Sequence, residues 1–101
     1  MPYTLTNSSI QTVKSPDSDA KIQHDGLYEV ILFNDDVNSM EHVIDSLVDV
    51  FGHPEELAVK IMIEAHRRGR AIAEVEARSL AQRHKDQLQS YGLTASIEKV
   101  E

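Results

Sequence analysis

The residues best able to do chemistry in this chain fall in two short stretches. Asn34, Asp35 and Asp36 stand in a row with Asn38 just beyond, and His66 lies much further along. Carboxylates only accept hydrogen bonds and favour a cation, and a neutral imidazole can accept as well. Four apolar residues have spacings that associate them with these groups: Met40 and Val43 after the acidic run, Met62 and Ala65 before the histidine. An apolar pocket with a few convergent polar groups at its mouth is the usual form of a small-ligand site. The ligand that satisfies both halves is an ammonium group with an apolar side chain beside it. The free N-terminus of a peptide that begins with a bulky apolar residue is such a ligand.

Each of these residues also has an ordinary structural reading. Asp35 and Asp36 suit a turn and the positive end of a helix, His66 suits a helix terminus, and Met40 and Met62 suit core filling. Only their convergence argues for a pocket. Other chemistries fit less well. Asn34-x-Asp36-x-Asn38 with Asp45 in the twelfth place echoes a calcium loop, but Ser39 occupies the sixth place, where such loops need glycine. The histidines show no HExxH-type spacing and the chain has no cysteine, so no metal site or cofactor is expected. Ser39 near histidines and aspartates suggests a hydrolase nucleophile, yet no nucleophile elbow surrounds it and a serine at a helix start is ordinarily a cap. The run HRRGR (66–70) complements the negative end of a helix better than it forms a phosphate site.

The elements that must position these groups can be read from periodicity. LYEVILF (27–33) is a strand, ended by the Asn34-Asp35-Asp36 turn. A helix comes next, with Asn38 as its cap, Glu41 reaching back, and Val43, Ile44, Leu47, Val48 and Phe51 on the buried face. Gly52 closes it, and Pro54 opens a second helix whose inner face is Ala58, Ile61, Met62 and Ala65, closed by Arg67, Arg68 and Gly69. The short joint at Gly52 and His53 folds the two helices into an antiparallel hairpin. Counting outward from the joint sets Met40 level with Ala65 and Val43 level with Met62, at the end where His66 and the acidic turn also arrive. Residues 70–75 alternate as a second strand. Residues 76–91 make a third helix with Ala77, Leu80, Ala81, His84, Leu88 and Tyr91 inward, and residues 93–100 a third strand.

The expected fold class is therefore α+β: a small three-stranded sheet, antiparallel or mixed, with three helices on one face in the order β-α-α-β-α-β. Residues 1–26 hold most of the Ser and Thr with no sustained period, and are expected to form a flexible tail ahead of one domain at 27–101.

The runs VILFNDDVNSMEHV and KIMIEAHRRGRAI, with the closing SIEKV, resemble the ClpS adaptor family over about residues 27–101. The acidic turn followed by Met-Glu-x-Val and a later Met-x3-His is specific in combination. The resemblance implies a non-catalytic adaptor that grips N-degrons starting with Leu, Phe, Tyr or Trp and delivers them to the Clp protease. Its implied partners are substrate N-terminal peptides and the N-terminal domain of the Clp Hsp100 unfoldase, which the tail would help engage. It implies that Asn34, Asp35 and His66 hold the α-amino group and that Asp36 and Asn38 contact the following backbone. Met40, Val43, Met62, Ala65 and Leu93 would line the side-chain pocket. Val37, Asn38 and Ser39 stand where many relatives have Tyr-Thr-Pro, and Ala65 where a Val is common. Ser79 and His84 replace a Glu and a Lys used against the unfoldase, so no docking residue carries over.

Composition bounds the alternatives. The chain has 101 residues and a net charge of −7, and lacks the Lys/Arg surplus that phosphate binding needs, so no nucleic-acid partner is expected. No apolar stretch approaches the roughly 20 residues of a membrane span, and residues 1–11 lack the basic and apolar regions of a signal peptide. A cytoplasmic location is expected. The rival reading is a protein-interaction module of the ribosomal-stalk C-terminal type, with a similar α+β topology and no amine pocket.

Overall fold

A computed structural model describes residues 26–100. The elements run β1 (Leu27–Phe33), α1 (Met40–Phe51), α2 (Glu55–Arg68), β2 (Arg70–Ala77), α3 (Arg78–Ser90) and β3 (Ala95–Lys99), the β-α-α-β-α-β order read from periodicity. The sheet has three strands in the order β2-β1-β3, with both pairings antiparallel. The expected tail, residues 1–26, lies outside the described residues except for Gly26.

β1 is central because it is the most apolar strand, and Val30, Ile31 and Leu32 are essentially inaccessible. Val30 and Leu32 meet Ala71, Ala73 and Ala95 from the flanking strands in one core cluster with Val43 and Leu47 of α1, Ala58, Ile61 and Ala65 of α2, and Ala81 and Leu88 of α3. Alanines on the edge strands and on α2 let the helices approach the sheet closely, with the bulk supplied by α1 and β1. Burying each Leu or Val side chain stabilises the fold by about 1.5–3 kcal/mol.

β2 carries a bulge. Val30 faces Glu74 while Ile31 faces Ile72, leaving Ala73 without a register partner. A bulge leaves ladder groups unpaired, and here the Ala73 carbonyl accepts from His53 Nε2 at 2.8 Å. His53 sits in the α1–α2 joint and stacks on Phe51 with centroids 5.0 Å apart, so the closed end of the helix hairpin is pinned to the irregular point of the sheet.

Several local expectations shift. Ser39, not Asn38, caps α1: its Oγ accepts from His42 N at 3.1 Å, because the Asn38 amide is committed elsewhere. Pro54 precedes α2 as its N-cap, its carbonyl accepting from Leu57 and Ala58. β2 continues to Ala77, which delays α3 to Arg78, and β3 begins at Ala95 instead of residue 93. Val48, Leu80 and Tyr91 are exposed, not inward. The helices cover one face of a narrow sheet, so the apolar arc each can bury is smaller than its run of apolar residues.

Candidate functional site

The site forms where β1 gives way to the acidic turn. Two backbone bonds fix the exit: Phe33 N donates to Thr94 O at 3.0 Å, and Asn34 N donates to Gly69 O at 2.9 Å. Gly69 is the C-cap of α2 at φ 89, a left-handed conformation that suits glycine. Its carbonyl thereby holds the start of the turn against the end of α2 that carries His66.

Asp35 organises the rest of the turn. Its Oδ1 accepts from Val37 N at 2.8 Å and Asn38 N at 2.9 Å, an Asx-type turn. Its Oδ2 accepts from Asn38 Nδ2 at 2.6 Å, and that same amide donates to Gly92 O at 3.0 Å. Both amide hydrogens of Asn38 are therefore spent in tying the turn to the α3–β3 loop. Partial burial pushes the Asp35 carboxyl up. The Asn38 side chain, the Asn38 and Val37 amides and the field of His42 outweigh it, and the carboxyl titrates below its ordinary range. Asp35 is ionised at neutral pH.

Between this turn and the helix hairpin lies a cavity of about 320 Å³, including its open mouth. Asn34, Asp35, Asn38, Met40, Val43, Met62, Ala65 and His66 all line it. Val43 and Ala65 form buried wall, Met62 is half-buried, and Met40 stands at the rim with 64% of its surface exposed. Two further lining residues, Leu32 and Phe33, were missed. The signal was available, since they are the last residues of the strand that leads into the turn. Two expected residues are not in the lining. Asp36 is exposed and accepts from Asn34 Nδ2 at 3.4 Å, and Leu93 is buried in the core cluster behind the Gly92 turn. Ser39 Oγ is occupied as the helix cap.

The walls are apolar, and the rim combines an ionised carboxylate with amide and imidazole groups. Such a chamber holds an apolar group and places a donor or cation at its mouth. Fold and cavity together define a small α+β binding domain. The family model described as ATP-dependent Clp protease adaptor protein ClpS matches residues 23–96. The ATP-dependent Clp protease adapter protein ClpS of Synechococcus elongatus is 35% identical over 91 residues, covering 89% of this chain and 96% of that protein. The structure of Agrobacterium tumefaciens ClpS2 bound to L-phenylalaninamide aligns with a TM-score of 0.66 at 32% identity, covering 75% of this chain and 99% of that one. The chain belongs to the ClpS family of ATP-dependent Clp protease adaptors, which are not catalysts.

Proposed function

We propose that this adaptor binds the free N-terminal residue of proteins that begin with Leu, Phe, Tyr or Trp, and delivers them in the cytoplasm to the Clp Hsp100 unfoldase through that enzyme's N-terminal domain. The observation that carries the reading is one cavity with buried apolar walls and the Asp35 carboxylate, Asn34 and His66 at its rim. The bound molecule of the Agrobacterium relative supports it. L-Phenylalaninamide is a free α-amine, a benzyl side chain and a neutral amide, which is the first residue of a peptide cut after its carbonyl.

In this reading the apolar side chain enters between Met40, Val43, Met62 and Ala65, and Leu93 backs the pocket from the core. The ammonium donates to Asn34 and His66 and lies in the field of Asp35. Asp36 and Asn38 flank the path of the following backbone. Neither anchor suffices alone. The side chain gives affinity without telling an N-terminus from an internal residue, and the amine gives that distinction without telling Phe from Ser.

The test is fluorescence anisotropy with a peptide panel that differs only in the first residue, each member with a free or an acetylated N-terminus. Acetylation removes the cation and one charged hydrogen bond, which contributes about 1.5–3 kcal/mol, so a tenfold to hundredfold loss is expected. Equal affinity for both forms would refute the assignment.

A further inference from the structure

α3 ends in a hydrogen-bonding pattern that leaves two carbonyls over. Gly92 adopts the left-handed conformation at φ 87, its N donates to Gln89 O at 2.9 Å, and Leu93 N donates to Leu88 O at 3.1 Å. This is the Schellman arrangement, normally accompanied by an apolar contact across the helix end, and Leu88 and Leu93 are buried in the same core cluster. The pattern uses N–H groups only. The carbonyls of Tyr91 and Gly92 accept no backbone bond among the described residues.

Side chains from the start of α1 take both. Asn38 Nδ2 donates to Gly92 O at 3.0 Å, and one helical turn further on His42 Nε2 bonds Tyr91 O at 2.8 Å. A carbonyl only accepts, so the bonded nitrogen of His42 carries the hydrogen. The His42 and Tyr91 rings also meet edge to face, with centroids 6.4 Å apart. Two side chains four residues apart thus clasp a rigid helix end that lies 54 and 49 residues away in sequence.

The clasp holds one end of the acidic turn, and the bond from Asn34 N to Gly69 O holds the other. Asp35 accepts from Val37 N and Asn38 N, but those bonds orient the carboxylate only within the turn itself. The Asn38 side chain, bonded to both Asp35 and Gly92, fixes the carboxylate relative to the cavity. His42 grips the same anchor, and its field reaches the Asp35 carboxyl. The apolar walls are supported separately, since Val43 and Ala65 are buried within the helix hairpin. With both amide hydrogens committed, Asn38 has no donor left for a peptide carbonyl.

We infer that Asn38 and His42 are positioning residues for recognition of the N-terminal amine: by capturing the two carbonyls that end α3, they hold the Asp35 carboxylate at the cavity mouth, and neither side chain donates to the peptide. The inference rests on the reading of that cavity as an N-terminus pocket. It assigns the two halves of recognition to different supports, the amine to the clasp and the side chain to the hairpin.

The experiment is anisotropy with four peptides of otherwise identical sequence, starting with Phe or Ala and carrying a free or an acetylated amine. Two ratios are read for each protein: the penalty for acetylation, and the preference for Phe over Ala among free peptides. In Asn38→Ala/His42→Ala the acetylation penalty is expected to shrink by about fivefold, the worth of roughly one hydrogen bond, through weaker binding of the free forms alone. The Phe preference stays within about twofold of wild type, as for independent sites. His42→Gln, whose Nε2 can still donate to Tyr91 O, keeps the part of the penalty that His42→Ala loses. An equal loss for free and acetylated peptides means that the side chains touch the peptide backbone or merely support the fold, and overturns the inference. So does an unchanged penalty, a Phe preference that falls together with the penalty, or a His42→Gln protein that behaves like His42→Ala.

Hydrogen exchange on the full chain without peptide is an independent measure. The Val37 and Asn38 amides, which donate to Asp35, are expected to exchange about tenfold faster in the double variant while the Leu32 and Leu47 amides of the core are unchanged. Unaltered exchange at Val37 and Asn38 overturns the clasp. Failure of the amine reading itself is recognised separately, as equal binding of free and acetylated peptides by the wild-type protein.

Discussion

Replacing Asp35 with asparagine keeps the size of the side chain and tests what the ionised carboxylate does. In Asp35→Asn the remaining carbonyl oxygen can still accept from Val37 N and Asn38 N, so the Asx turn survives. The other oxygen, 2.6 Å from Asn38 Nδ2, becomes an NH2 group facing an NH2 group. Flipping the Asn38 amide repairs that contact but turns its oxygen towards Gly92 O, now 3.0 Å from a nitrogen donor. One of the two links must fail in either orientation. A typical hydrogen bond contributes about 0.5–1.5 kcal/mol net and one to a charged group about 1.5–3. The turn is partly solvated, so a stability loss near the lower figure, about 1 kcal/mol, is expected. Peptide affinity should fall further, by about tenfold to fiftyfold, because the ligand loses the anion as well as the ordered turn. Urea denaturation and peptide anisotropy on the same variant give both numbers. Asn38→Ala should cost similar stability while losing less affinity, since the carboxylate remains. If Asp35→Asn binds free-amine peptides as wild type does, the carboxylate is a turn residue only and the amine must be held by Asn34 and His66 alone. The pH dependence has a fixed sign. The folded-state pKa of Asp35 lies below its ordinary 3.8, so its stabilisation is complete above that value and is lost as pH falls through the depressed one. Asp35→Asn should therefore flatten the acid limb of the stability profile below pH 3.8.

Two further outcomes are expected. Met40→Ala should raise binding of Ile- and Val-initiated peptides about tenfold relative to Leu-initiated ones, because the exposed thioether at the pocket rim presses on a β-branched first residue; an unchanged Ile/Leu ratio in paired titrations would show that Met40 is no gate. Deleting residues 2–25 should leave peptide affinity intact, since the cavity lining among the described residues is complete without them, while slowing degradation of an N-degron substrate by a reconstituted Clp protease; unimpaired degradation would remove the tail from delivery.

The legible and illegible parts of the sequence divide along a physical line. The β1 strand at Leu27–Phe33, the order of elements and the hairpin pairing of Met40 and Val43 with Met62 and Ala65 all derive from periodicity and from the short joint, and these are local properties. Bonds across long sequence distance were not legible. Asn38 is a good helix-cap residue by type, and nothing nearby reveals that Gly92, far along the chain, offers a carbonyl for its amide. Once that amide is engaged, the cap passes to Ser39, whose hydroxyl is otherwise free. The bulge at Ala73 is hidden for the same reason, because its unpaired carbonyl is satisfied by His53 from another element. The exposure of Val48 and Tyr91 was hidden because helical periodicity assigns both to the interior. Their exposure results from the narrowness of a three-stranded sheet, which cannot cover three helices all round. The same narrowness explains where the site opens. A sheet only three strands wide leaves the open end of the α1–α2 hairpin uncovered by the other described elements, and that is the surface where an acidic turn meets apolar walls.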